Sequence, residues 1–264
     1  MILVSAALAG CQTVQTTGGG VVGVERPQTM TTLISSEEFN KKAAQEYRQT
    51  IEAASKKGRL NQDPAQVERV RRIADRLIPS TAVFRPDAAR WDWEVNVISS
   101  NEVNAWCMPG GKIAVYTGLL VKLKPTDDEL AAVMGHEISH ALREHSREQY
   151  SQALAQGIII NILGAVTGAS AVTQNAGQTV LDVMLNLPHS RTDETEADRI
   201  GVELAARSGY DPRAAVSLWE KMGRLGGSAP PEILSTHPSD ETRMADLRVY
   251  ATKVLPLYES TRGR

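Results

Sequence analysis

The chain has 264 residues, a formal net charge of -2, and is 42% hydrophobic and 23% charged. That length can build one large hydrophobic core or two small ones, and a near-neutral charge without a run of Lys and Arg excludes a nucleic-acid-binding footprint. Two cysteines exclude a disulfide-stapled scaffold.

Residues 1–11, MILVSAALAGC, are a short apolar run ending in Leu8-Ala9-Gly10-Cys11. This ending resembles a bacterial lipobox, which predicts a signal segment over residues 1–11 and acylation of Cys11. Membrane attachment is then by a lipid anchor only, not by a spanning helix. Gln12 follows the cysteine where an inner-membrane lipoprotein would carry Asp, so the expected location is the periplasmic side of the outer membrane. Residues 12–35 are rich in Thr, Gly, Val and Gln and read as a flexible tether.

A helical pattern follows over about 37–57, with Phe39, Ala43, Tyr47 and Ile51 at a spacing of four, ended by Gly58. Asp63 caps a second helix that has Pro64 at its first position and runs to about Leu77. Between Trp91 and Thr117 the period changes. Trp93, Val95 and Val97 alternate, as do Ile113, Val115 and Thr117, with turn signals at Ser99-Ser100-Asn101 and Pro109-Gly110-Gly111. This predicts a small antiparallel sheet, one edge of which could pair with an extended peptide. Cys107, in this region, reads as a small buried hydrophobe.

Thr126 with Glu129 forms a capping box, Asp127 and Asp128 occupy the first turn, and Leu130, Met134, Ile138 and Ala141 make an apolar stripe. The helix so defined carries His136-Glu137-Ile138-Ser139-His140, an H-E-x-x-H pattern. His136 and His140, at i and i+4, face one side and can share one Zn²⁺. Glu137 falls on the neighbouring flank, where its carboxylate can serve as a base without being a ligand. The bland alternative is an exposed helix whose histidines bind nothing.

Residues 149–181 carry no charged side chain, and the apolar centre at 157–172 is broken by Gly, Asn, Thr and Ser. That is too interrupted for a membrane span and is expected to be a cover over the cleft. Ser190 then caps a helix running to about Ser208. Glu194 and Asp198 share a face that continues through Ala197, Gly201 and Ala205, whose small side chains permit close helix approach. Glu196 falls with Arg199, Ile200 and Glu203, a set read as mostly solvated. The geometry therefore favours Glu194 as third ligand, with Asp198 accepting the free N–H of a ligating imidazole. A helix opened by Asp211-Pro212 packs through Ala215, Leu218 and Met222. His237 precedes Pro238 and is expected in an extended loop, before a last helix over about 239–254. His237 could be a displaceable fourth ligand or a donor to an oxyanion, and Arg243 could serve as such a donor. On spacing alone, a solvated His and a surface Arg are the simpler readings.

HEISH at 136–140, SRTDETEAD at 190–198, THP at 236–238 with Arg243 six residues after His237, and NAWCMPGGKIAVYTGLL at 104–120 resemble, over about residues 40–250, the zinc metallopeptidases related to the CAAX prenyl protease. The likeness is greatest to the periplasmic lipoprotein branch, which performs quality control. It implies one zinc per chain held by His136, His140 and Glu194, with Glu137 as base and Asp198 behind a ligand. It also implies His237 and Arg243 in the cleft, with His237 capping the zinc in some resting forms. The implied fold is α+β, mostly α: a zincin-like domain with a small antiparallel β-sheet beside the H-E-x-x-H helix. We place that domain at 36–256 and a C-terminal tail at 257–264. The expected function is a zinc endopeptidase that cleaves unfolded or misassembled envelope proteins. The alternatives are a chaperone or assembly factor for outer-membrane proteins with a latent peptidase site, and a structural zinc domain, which an open fourth position and a free Glu137 disfavour.

Overall fold

The organising element is a helix buried on all sides. In the computed structural model, which describes residues 10–155, 187–225, 232–237 and 241–261, the H-E-x-x-H segment forms Asp127–Leu142 (α4). Thr126 Oγ1 accepts from the N–H of Glu129, whose carboxylate accepts from the N–H of Thr126, closing the expected capping box. Every residue from Glu129 to Leu142 is buried. A helix covered all round belongs to a core, which rules out the exposed-helix alternative.

The elements around it follow from local sequence. Ser35 and Glu38 cap Ser36–Lys56 (α1), which buries Phe39, Ala43 and Tyr47 along one side. Asp63 accepts from the N–H groups of Ala65 and Gln66 to start Pro64–Leu77 (α2), whose Val67, Val70, Ile73 and Leu77 face the core. Two short 3-10 turns lead to strands Glu94–Ile98 (β3), Ala105–Met108 (β4) and Lys112–Tyr116 (β5). Strands Cys11–Val14 (β1) and Gln28–Thr31 (β2) precede them in the chain. After α4 come Arg191–Arg207 (α5), Ala214–Leu225 (α6), Glu232–Thr236 (α7), Glu241–Lys253 (α8) and Leu255–Thr261 (α9); Thr117–Lys122 (α3) links β5 to α4. α4 lies between α2, α5 and α6 on its helical sides and β4 on the other. Mostly helical and carrying a small sheet beside α4, the fold is of the expected class.

Three expectations are corrected, and one helix starts three residues after the Asp211 that opens it. The sheet is mixed, with order β3-β5-β4: β4 and β5 form an antiparallel hairpin, but β3 runs parallel to β5. Alternation identifies strands without saying which neighbour each will pair with. Residues 12–35 are no flexible tether. β1 and β2 pair as an antiparallel ribbon, Val22, Val24 and Met30 are buried, and Arg26 ion-pairs with Glu148, Asp193 and Glu196. A polar composition concealed these few anchors because their partners lie more than a hundred residues away. The supposed tail from 257 is largely α9, with Leu257 and Tyr258 packed on the core. The helix expected from Asp211-Pro212 begins at Ala214 and buries Ala215, Leu218 and Met222 as anticipated.

The uncharged stretch is described only to residue 155, so its expected covering role lies outside the described residues, as do residues 1–9 of the expected signal segment. Among the described residues no helix is long and apolar enough to cross a membrane.

Candidate metal centre

α4 and α5 are the most extensively packed helix pair. Gly135 and Gly201 face each other where they meet. This brings the Glu194–Asp198 face of α5 onto the histidines of α4. His136 Nε2 and His140 Nε2 are 3.1 Å apart, and His237 Nδ1 is 3.3 Å from His136 Nε2. The Glu194 carboxylate lies 3.5 Å from His136 Nε2, 3.4 Å from His140 Nε2 and 2.9 Å from His237 Nδ1. All four donor atoms lie within 4.8 Å of one another.

The hydrogen bonds behind these donors set their chemistry. His136 Nδ1 is 3.0 Å from Asp198 Oδ1. A carboxylate only accepts, so Nδ1 carries the proton and Nε2 presents its lone pair to the centre. Two nitrogens bound to one tetrahedral zinc at ~2.0–2.1 Å stand roughly 3.3 Å apart, which the nitrogen separations match. The residues therefore fit one zinc: His136, His140 and Glu194 would hold it, with His237 in reach of the fourth position.

The electrostatics agree. Burial opposes charge on His136, but in the metal-free site its bonds to Asp198 and Glu194 raise its pKa to about 9, so a proton on Nε2 holds the place that a cation would take. Burial and His189 keep His140 well below its ordinary value and hence neutral, as a ligand must be. Burial works against charge on Glu194 too, yet His237 and Arg243 hold its carboxyl well below the usual range. Glu137 is different. Burial raises it, and its Oε1, which stands 3.6 Å from His237 Nε2, accepts no hydrogen bond.

Arg243 is no surface residue. Its guanidinium ion-pairs with Glu194 Oε2 at 2.6 Å and with Asp198 Oδ2 at 2.5 Å, and it lies 4.2 Å from the Trp219 ring centre. In this arrangement it serves the carboxylates instead of facing a substrate oxygen. His237 follows the last residue of α7, and its N–H closes that helix turn on Ile233 O at 2.9 Å, so it is not in a fully extended loop.

Sequence reasoning missed three residues here. His189 stacks near His140 (ring centres 4.1 Å apart) and its N–H donates to Thr236 O. His145 Nδ1 is 2.9 Å from His140 Nδ1, and His145 Nε2 is 3.1 Å from Glu196 Oε2. Glu196 is buried, as are Ile200 and Glu203, which corrects the solvated face assigned to them: the 10–35 segment covers it. The available signal was that the chain has five histidines, all close in sequence to motif elements; all five gather here.

An H-E-x-x-H helix joined by a carboxylate from a second buried helix defines a metallopeptidase-type centre. The chain belongs to peptidase family M48, whose family model matches residues 64–251. It is similar to the mitochondrial metalloendopeptidase OMA1 of Arabidopsis thaliana, 44% identical over 154 residues, covering 57% of this chain and 30% of that protein. It is also similar to the mitochondrial metalloendopeptidase OMA1 of Bos taurus, 30% identical over 244 residues, covering 86% and 45%. The beta-barrel assembly-enhancing protease of Escherichia coli strain K12 is 31% identical over 208 residues, covering 75% and 41%. The chain thus spans less than half the length of each of these three relatives.

Proposed function

We propose that the chain is a zinc-dependent endopeptidase that cleaves unfolded or misassembled membrane-associated proteins. The observation that carries this reading is the convergence of the imidazole nitrogens of His136 and His140 with the Glu194 carboxylate, beside a buried Glu137 whose Oε1 accepts no hydrogen bond. Zinc bound there would supply a Lewis acid that polarises a peptide carbonyl and acidifies a water molecule. Glu137 takes the proton from the attacking water and returns it to the leaving amine, a role suited to a carboxyl raised by burial. Asp198 keeps the His136 ring in the Nδ1–H tautomer, and Arg243 holds Glu194 and Asp198 in place.

The sheet offers a place for the substrate. Tyr116 N–H donates to Asn104 O, so in the β4–β5 ladder the backbone groups of Ala105 and Cys107 point away from β5. The other edge of the sheet, at β3, is bonded to Arg59 and Asn61. β4 packs on α4, the helix that carries Glu137, and we place the substrate peptide along this edge once its cover opens. Asn104 Oδ1 accepts the Ala105 N–H in this structure and must release it to a substrate.

The relatives are named as mitochondrial metalloendopeptidases and as a bacterial protease that enhances beta-barrel assembly, which supports a peptidase and does not fix its compartment. Our reading for this chain is a bacterial envelope enzyme anchored by acylated Cys11, supported by the Leu-Ala-Gly-Cys sequence. Palmitate labelling lost in Cys11→Ala supports the anchor, and an unlabelled wild type overturns it.

Closure of the site favours one second reading. His136, Glu137, His140, Glu194 and His237 are all at most 4% exposed. A site closed in this way also suits a chaperone or assembly factor whose peptidase is latent. The test is zinc content per chain together with casein cleavage, for wild type, Glu137→Gln and His237→Ala. One zinc in each, with cleavage by wild type and not by Glu137→Gln, establishes the peptidase. Cleavage only in His237→Ala establishes a latent site. No zinc in any of them overturns the proposal.

A further inference from the structure

Behind the donors lies a second group of potential ligands, His145, Asp193 and Glu196, close enough to share an ion. It is already neutralised. Arg143 Nε donates to Glu196 Oε2 at 2.9 Å, Arg26 Nε donates to Glu196 Oε1 at 2.7 Å, and Arg26 also reaches Asp193 Oδ1 at 3.1 Å. Two guanidinium groups on these carboxylates leave no place for a cation. The cluster faces the metal centre instead, through the one contact that the His136–Asp198 pair does not explain: the meeting of His140 Nδ1 and His145 Nδ1 at 2.9 Å.

Two ring nitrogens at that distance need one proton between them, and the partners decide which carries it. Glu196 is an acceptor, so the nitrogen of His145 that faces it, Nε2, is protonated. An imidazole that carries its one proton on Nε2 presents Nδ1 as a lone pair. His140 must donate its own Nδ1–H there, which leaves its Nε2 lone pair directed at His136 and Glu194. The backbone arranges this meeting. α4 ends at Leu142, and Glu144 takes a positive φ of 52°, uncommon for a residue with a side chain. Its carboxylate is held there by Arg85 and Arg147. The turn starts a new helical stretch at 145 and sets the His145 ring beneath His140, where continuation of α4 would carry it past.

We propose that Glu196 and His145 form a relay that orients His140 for metal binding, as Asp198 does for His136. His145 is a positioning residue: it acts on the metal through His140. The metal-binding part of this inference rests on the peptidase reading; the tautomer does not. Arg143 from the end of α4 and Arg26 from the N-terminal segment keep Glu196 in its place, so that segment forms the outermost layer of the site.

The test uses wild type, His145→Leu and His145→Asn in the full chain. Asn can place its amide oxygen where Nδ1 lies and accept from His140. Ring-nitrogen NMR of the metal-free wild type is expected to show His140 protonated on Nδ1; an Nε2–H tautomer there overturns the relay whatever the metal does. Zinc affinity by chelator competition is expected to fall about 10–100-fold in His145→Leu and to return to within about threefold of wild type in His145→Asn. The visible spectrum of the cobalt-substituted protein should shift in His145→Leu and not in His145→Asn. Equal affinities and spectra in all three proteins overturn the relay while leaving the peptidase reading intact. A His145→Leu chain that does not fold leaves the tautomer measurement and His145→Asn to decide. A wild type with the Nδ1–H tautomer and no metal uptake sinks the peptidase reading and upholds the hydrogen-bond chain alone.

Discussion

A Cβ placed on Gly201 would lie 2.9 Å from the backbone nitrogen of His136. The crossing of α4 and α5 is therefore as close as two helices without side chains allow, and it sets the distance from Glu194 to the histidines. Gly201→Ala gains about 1 kcal/mol of helix propensity, but overpacking against a backbone costs about 1–3 kcal/mol. The expected net result is lower stability and, because α5 carries Glu194 and Asp198, zinc affinity reduced about tenfold or more. Urea unfolding and chelator competition on Gly201→Ala and Gly201→Val check this, with Val the worse. Unchanged zinc affinity in Gly201→Val would mean that helix approach does not set the site.

Glu137 should show the trade of stability for function. Its Oε1 is buried without a hydrogen bond, and burial disfavours its charge. Glu137→Gln is therefore expected to leave the metal-free protein equally stable or up to about 2 kcal/mol more stable, while hydrolysis falls about 10²–10⁴-fold. Thermal unfolding beside a peptidase assay measures both. A clear loss of stability would assign Glu137 a structural role.

Arg243 compensates two buried carboxylates. Arg243→Met removes their only guanidinium partner among the described residues and leaves them histidine contacts alone, which costs about 3–5 kcal/mol in the metal-free protein. Zinc supplies positive charge at the same place, so the cost should shrink when zinc is saturating. Unfolding with and without zinc tests this, and an equal cost in both conditions would contradict it.

Glu196 predicts an acid limb of stability. Burial would raise its carboxyl, but His145, Arg26 and Arg143 bring it from 4.5 to about 2. A depressed carboxyl stabilises the fold fully above its unfolded value, and the contribution is lost as pH falls from about 4.5 toward 2. The amount is on the order of 3 kcal/mol. Glu196→Gln should flatten the stability–pH curve in that window, as followed by urea midpoints. An unchanged slope would mean that Glu196 is not so held.

Met30 tests whether the N-terminal segment is part of the folded domain. It is fully buried. Met30→Ala should cost about 2–5 kcal/mol, measured by chemical denaturation. No change would return the segment to the role of a tether.

Much of the site was legible because its chemistry is written at helical spacing. Thr126 and Glu129 announce the start of α4, and four-residue spacing puts His136 with His140 and Glu194 with Asp198. The small face of Ala197, Gly201 and Ala205 marked where α5 could come close. The solvated reading of Glu196 failed for one reason. Charge along a helix face looks the same whether it meets water or the arginines of a distant segment, and Arg26 is separated from Glu196 by 170 residues.

By itself, then, the sequence determined the helices, their caps and the donors on α4 and α5, because these depend on neighbours within one or two turns. The tertiary structure alone decided the parallel pairing of β3 with β5, the burial of Arg243 and the gathering of all five histidines. It also decided the folding of residues 10–35 onto the back of the site. Each of these depends on which remote surfaces meet, and period and composition carry no information about that.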